Sequence, residues 1–239
     1  SSDLSQTGQL WTGTMWECPA LFPLEDKWIL LLSVHSPKGA VHTIYYTGQY
    51  AVDRFIPDGP PRLVDGGAEG CFYAPQTFVE RKGRRVMFGW LRESRSEQAQ
   101  VEAGWSGAIS LPRYLSLSEK GELCSSPDPA LQKLRVKSER LLRPNQVANE
   151  VKGGCQEIIV RVPPDTERWC GVHLMDGHDN DVLIGYDSVN GVVVADCRNA
   201  DGQISAMPVD PPAMSDMVLH IFVDGSILEV YVDDLHPLS

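Results

Sequence analysis

Short apolar runs rich in aromatic and β-branched residues recur along this chain, separated by Gly, Pro and Asp turns. KWILLLSV (27–34), HTIYYTG (42–48), CFYAPQTFVE (71–80) and RRVMFGWL (84–91) predict strands in the first half. QEIIVRV (156–162), WCGVHLM (169–175), DVLIGYDS (181–188), GVVVADC (191–197), MVLHIFVD (217–224) and ILEVYVD (227–233) predict strands in the second. Strict alternation through HIFVDGSILEVYV predicts a hairpin around Asp224-Gly225. No stretch sustains a 3.6-residue apolar period. The closest, PALQKLRVKSERLL (129–142), predicts a short helix or a linker.

The expected class is therefore all-β. Gly-Trp pairs at Gly89-Trp90 and Gly104-Trp105 fit propeller blades, which are sheets of four strands. The later strands come at the regular spacing of a β-sandwich. Ser126-Pro127-Asp128-Pro129 punctuates the crossing. The expected division is a first domain over 1–125, a linker over 126–140 and a sandwich over 141–239.

Composition narrows the partners. Of 239 residues, 42% are hydrophobic and 22% charged, enough for a packed core. The net charge of -11 argues against nucleic acid and anionic membranes, which both demand a basic face. No apolar run approaches the roughly 20 residues of a membrane-spanning helix. The opening SSDLSQTGQL lacks a basic region followed by an apolar one, and the compartment stays open. Six cysteines without a C-x-x-C pair exclude zinc and thioredoxin-type spacing; the even number permits disulfides, but buried free thiols are expected at this length. No N-x-[ST] sequon occurs.

Four stretches could carry chemistry. In MWECP (15–19), Glu17 would serve as an acid if Trp16 walled it from water and Pro19 stiffened the backbone; otherwise it is a solvated charge. In CFYAPQTF (71–78), Tyr73, Gln76 and Thr77 alternate with Phe72 and Phe78. That pattern suits either sugar recognition or a plain two-faced strand. In GWLRE (89–93) and GWSGAISLPR (104–113), Trp90 is a sugar platform or a core residue, with Arg92 or Glu93 beside it. Ser106 lacks the G-x-S-x-G elbow of a serine hydrolase. HLMDGHDND (173–181) holds His173, Asp176, His178, Asp179 and Asp181, but without EF-hand spacing, so a polar hairpin loop is expected rather than a metal site.

In this order and spacing, MWECP, FYAPQTF, RRVMFGWLRE and GWSGAISLPR resemble glycoside hydrolase family 32, the β-fructofuranosidases. LHIFVDGSILEVYVDD is similar to that family's sandwich domain, where an Asp-x-Ser-x-x-Glu-Val run recurs. The resemblance implies a five-bladed β-propeller, of which about three blades are expected here, followed by the sandwich. It implies retaining hydrolysis of fructosyl bonds in sucrose or fructans by two carboxylates, without cofactor or metal. Glu17 matches the general acid/base and Cys18 its tuning neighbour. Tyr73 and Trp90 match the fructose pocket, and Cys71 stands where an aspartate is usual. The family's Asn-Asp-Pro-Asn and Arg-Asp-Pro motifs have no counterpart: neither Asp3 nor Asp128 matches. The expectation is a fragment that begins late in the second blade or early in the third, without the nucleophile. Such a fragment would be marginally stable or self-associate through an exposed propeller edge. Two rival functions remain. One is a catalytically incompetent carbohydrate-binding or structural fragment; the other, an arabinan-acting propeller glycosidase, is disfavoured by the paired WECP and FYAPQTF motifs.

Overall fold

The computed structural model describes residues 10–141, 146–147, 153–175, 181–197, 204–212 and 214–239. Its regular structure is almost wholly antiparallel β. In the first sheet, β1 (Met15–Leu24), β2 (Lys27–Ser36), β3 (Gly39–Ala51) and β4 (Arg54–Pro57) lie in sequence order, and β5 (Arg62–Leu63) also pairs with β3. Central β2 is the apolar KWILLLSV run, its middle buried. Edge strand β1 was not expected, because Pro19 and Pro23 interrupt its pattern. An edge tolerates them, since a proline there need not donate to a second neighbour.

The second sheet contains β6 (Phe72–Val79), β7 (Arg85–Leu91), β8 (Ala108–Ile109), β9 (Arg113–Leu117) and β10 (Leu123–Pro127), ordered β10-β9-β7-β6 with β8 beside β7. Helix α1 (Glu97–Ala103) interrupts it. Ser96 caps its start, accepting from Ala99 N, and left-handed Gly104 ends it. Phe22, Ile29, Leu31 and Tyr45 of the first sheet share one core with Phe72, Met87 and Leu115 of the second. Two sheets, rather than about three, thus occupy the described residues before 128. The short strands β4 and β5 extend the first sheet instead of founding another.

A short 3₁₀ helix (Pro129–Leu134) follows, capped by Asp128. It takes up the first six residues of the stretch 129–142, where a short helix or a linker was expected. Two four-stranded sheets come next. One orders β11 (Cys155–Val162), β16 (Met217–Asp224), β17 (Ile227–Val232) and β18 (His236–Leu238). The other orders β12 (Trp169–Leu174), β13 (Val182–Asp187), β14 (Val192–Asp196) and β15 (Ile204–Pro208). Val162, Leu219, Ile221 and Val230 of one meet Ile184, Tyr186 and Val193 of the other in a single cluster. The β16–β17 hairpin closes on the pair Asp224 and Ile227, so its loop is Gly225-Ser226, one residue beyond the expected turn. Left-handed Gly225, φ 60, makes that turn.

The halves are bound together by polar contacts. Gly66 N donates to Pro237 O at 2.9 Å, Ser125 N to Leu235 O at 2.8 Å and Ala68 N to Ser205 Oγ at 2.8 Å. Between them lies Arg113, fully buried, ion-paired to Asp65 of the first half and Glu229 of the second. The six thiols are free; Cys124 is buried as expected, whereas Cys155 is exposed.

Candidate active site

Glu17 stands on β1 immediately before a bulge, where the register with β2 slips between Glu17 and Ala20. Cys18 takes the left-handed conformation there, φ 47. Strand β6 repeats the device: its register with β7 slips between Tyr73 and Gln76, and Ala74 has φ 47. A bulge bends its strand and re-aims the adjoining side chain. Here the two bulged strands bring Glu17 and Tyr73 together, and the Tyr73 hydroxyl donates to Glu17 Oε2 at 2.8 Å.

Buried side chains of the first sheet hold this corner. Ser33, opposite Glu17 in the ladder, accepts from Ala74 N at 3.1 Å. Thr43 donates to Phe72 O at 3.2 Å. Both are buried. Residues 72–74 are thereby pinned to β2 and β3 on either side of Tyr73. Burial, the hydrogen bond to Glu17 and that residue's charge push the Tyr73 hydroxyl well above the usual phenol range, against a smaller opposing pull from Arg92. Tyr73 therefore keeps its proton and acts as a donor.

The remaining expected residues fall as follows. Trp90 pairs with Tyr73 across the β6–β7 ladder, its side chain 40% exposed and the Arg92 guanidinium 5.6 Å from its ring centre. Cys71 precedes β6, and Arg92 N donates to its carbonyl at 2.8 Å. Burial first, then the charge of Asp65, pushes its thiol up to about 11, so Cys71 is neutral near pH 7 and cannot supply a carboxylate's charge. Cys18 follows Glu17 directly, half-buried at the β1 bulge. Trp16 does not wall Glu17. Neighbours on a strand point to opposite faces, and the Trp16 indole, 54% exposed, donates instead to Thr12 O at 2.8 Å. The wall is Tyr73.

Glu93 is committed elsewhere. Arg95 and the backbone N–H groups of Arg95 and Gly107 hold its carboxyl down to about 2, and the Arg95 guanidinium lies 4.0 Å over Trp105. Thr77 accepts from Arg85 at 2.9 Å, and Phe78 stacks on Phe88. In the hairpin between β12 and β13, His173 pairs with Asp181 at 3.0 Å, while Asp176, His178 and Asp179 lie outside the described residues. Among the described residues, no three His, Cys, Asp or Glu side chains gather as metal ligands. A separate cavity of about 310 Å³, lined by Lys27, Tyr45, Asp58, Arg62 and Lys120, includes neither Glu17 nor Tyr73.

The family is decided by sequence models. The model of the glycosyl hydrolases family 32 N-terminal domain matches residues 1–127, and that of the family 32 C-terminal region matches residues 130–236. The chain belongs to glycosyl hydrolase family 32. Within family 32 it is 27% identical over 238 residues to a sucrose-6-phosphate hydrolase of Zymomonas mobilis, covering 92% of this chain and 45% of that protein. It is 34% identical over 155 residues to the insoluble β-fructofuranosidase CWINV1 of Arabidopsis thaliana, covering 54% and 26%. The fold resembles the sucrose-6-phosphate hydrolase of Lactobacillus gasseri, with a TM-score of 0.77, 20% identity and coverage of 98% and 51%. A family 32 β-fructofuranosidase of Bombyx mori gives a TM-score of 0.73 at 24% identity, covering 95% and 49%. The chain spans about half the length of the relatives it matches along most of its own.

Sequence reasoning passed over Ser33, Thr43, Asp65, Arg113 and Glu229. Ser33 and Thr43 look like ordinary polar positions in a strand and carried no signal. Arg113 ends GWSGAISLPR, and Glu229 is the glutamate of the Asp-x-Ser-x-x-Glu-Val run, so motif membership already marked both.

Proposed function

We propose that a protein carrying this chain hydrolyses terminal β-D-fructofuranosides, sucrose or fructans, with retention, and that Glu17 is its general acid/base. The first two sheets are read as blades of a five-bladed propeller and the last two as its β-sandwich, joined over residues 126–140. The observation that carries the function is the Tyr73–Glu17 hydrogen bond, which unites the WECP and FYAPQTF motifs in one corner.

Tyr73 holds Oε2, leaving Oε1 to carry the mobile proton. In the first half-reaction Glu17 protonates the glycosidic oxygen as a second carboxylate attacks the fructose anomeric carbon, and the C–O bond to the leaving group breaks. In the second, the Glu17 carboxylate takes a proton from water. The oxygen of that water displaces the enzyme carboxylate, and fructose leaves with its configuration retained. A retaining pair stands about 5 Å apart. The family's nucleophile motif, Asn-Asp-Pro-Asn, is not in this sequence, so the second carboxylate is not among the residues assigned here. Tyr73 and Trp90 line the fructose pocket. Cys71 offers the sugar a neutral thiol, and Cys18 tunes the acid/base from beside it.

The test is Glu17→Gln. Turnover on sucrose should fall by orders of magnitude with a modest change in KM. Near-normal turnover removes Glu17 from the mechanism. Fructose release by the isolated chain separates an enzyme from a binding or structural fragment.

A further inference from the structure

We infer that Glu229, supplied by the second half of the chain, is a positioning residue for both arms of the candidate site. Glu229 is fully buried on β17, and its two oxygens serve two routes into the first half. Oε2 accepts from Arg113 Nε at 3.1 Å and Nη2 at 2.6 Å. The same guanidinium lies 4.1 Å over the ring of Phe72 and donates to Asp65 at 2.7 Å. Phe72 sits between Cys71 and Tyr73, and Asp65 opens the 65–71 loop by accepting from Gly67 N at 2.8 Å. The first route therefore ends at Tyr73 and its hydrogen bond to Glu17.

Oε1 accepts from Leu111 N at 2.6 Å. Its neighbour Ser110 is tied to Gly89 in both directions, Ser110 N to Gly89 O at 2.9 Å and Gly89 N to Ser110 Oγ at 3.0 Å. Gly89 precedes Trp90, so the second route ends at that indole. One buried carboxylate thus holds both walls of the corner, a task that the hydrolytic steps do not give it.

Four donors converge on this carboxylate: Arg113 Nε and Nη2, Leu111 N and the Tyr231 hydroxyl. An amide in its place turns an NH₂ group against at least one of them, so Glu229→Gln should loosen the 65–73 segment without changing side-chain volume. The positioning role rests on reading the Glu17–Tyr73 corner as the reacting site; the structural link is tested without substrate. Iodoacetamide labelling at pH 8, read by peptide mass spectrometry, follows Cys71 in the loop and Cys124 as the control for global opening. In Glu229→Gln, Cys71 should label about tenfold faster or more, through opening and a falling thiol pKa, with Cys124 unchanged. Unchanged Cys71 labelling overturns the inference. If both thiols speed up together, the protein has opened as a whole and the milder Glu229→Asp decides: selective labelling of Cys71 supports the link, and equal or unchanged rates overturn it. Because alkylation needs no substrate, a failure of Glu17→Gln sinks the functional reading and leaves this result standing.

Discussion

Replacing Arg113 by methionine isolates the energetic worth of the buried cation that joins the halves. Arg113 is fully buried and spends four of its five N–H groups on Asp65, Glu229 and Ser239. Phe72 and Tyr231 face its guanidinium, 4.1 and 5.5 Å from their ring centres. Methionine keeps most of the unbranched aliphatic volume between those rings, so the cavity cost is small and the loss is mainly charge. Two buried carboxylates then face each other without a cation. Removing one partner of a buried ion pair costs about 3–5 kcal/mol. For a chain of this size each kcal/mol moves Tm by roughly 2–4 °C, so the expected fall is about 6–20 °C. Calorimetry and urea titration at pH 7 measure it. The double variant Arg113→Met/Glu229→Gln leaves one unpaired carboxylate instead of two, so its destabilisation should fall short of the sum by about 1–3 kcal/mol. A single variant within about 1 kcal/mol of the parent, or strict additivity in the double, would refute the view that this cation neutralises both halves at once.

Two further outcomes are expected. Tyr73→Phe keeps the ring but removes the donor on Glu17; a hydrogen bond to a charged group is worth about 1.5–3 kcal/mol, so kcat should drop about 10- to 100-fold with KM little changed, and a rise in KM alone would show that Tyr73 only shapes the pocket. Glu93, held down to about 2 against an unfolded value of roughly 4.3, contributes stability that is present above pH 4.3 and lost as pH falls through 2. The Tm gap between the parent and Glu93→Gln should therefore narrow from pH 6 to pH 3, and a constant gap would contradict the pairing with Arg95.

Long strands with clean patterns were legible in the chain. Buried β2, the β6–β7 pair and the β16–β17 hairpin fell within a residue or two of their predicted positions, because apolar alternation and Gly or Asp turns mark them. Strand β1 was hidden by two prolines that only its edge position tolerates. Helix α1 was hidden because EQAQVEA, only seven residues long, buries nothing and so leaves no apolar face to read. At the site, motif order pointed to Glu17, Tyr73 and Trp90, and the structure brings the first two into contact and the third onto the neighbouring strand. The expected role of Trp16 failed on strand geometry alone, since adjacent residues cannot share a face. Ser33 and Thr43 were invisible because their partners are backbone atoms on another sheet, 41 and 29 residues away.

The paired bulges explain why the corner needs so many supports. Cys18 and Ala74 are left-handed without being glycine, a conformation that costs on the order of 1 kcal/mol at each residue. Each follows directly a side chain that the corner requires, Glu17 in one strand and Tyr73 in the other. A regular ladder would have kept both strands straight and continued the strict alternation of faces past these residues. The strain is offset where the structure over-determines the backbone: Ser33 takes the Ala74 amide, Thr43 gives to the Phe72 carbonyl, and the Arg113 guanidinium covers the Phe72 ring. Arg113 depends in turn on a carboxylate 116 residues further along the chain. Glu17 and its tyrosine partner are thus set by contacts that neither bulged strand makes alone, and relaxing one contact should loosen the corner before it unfolds either sheet.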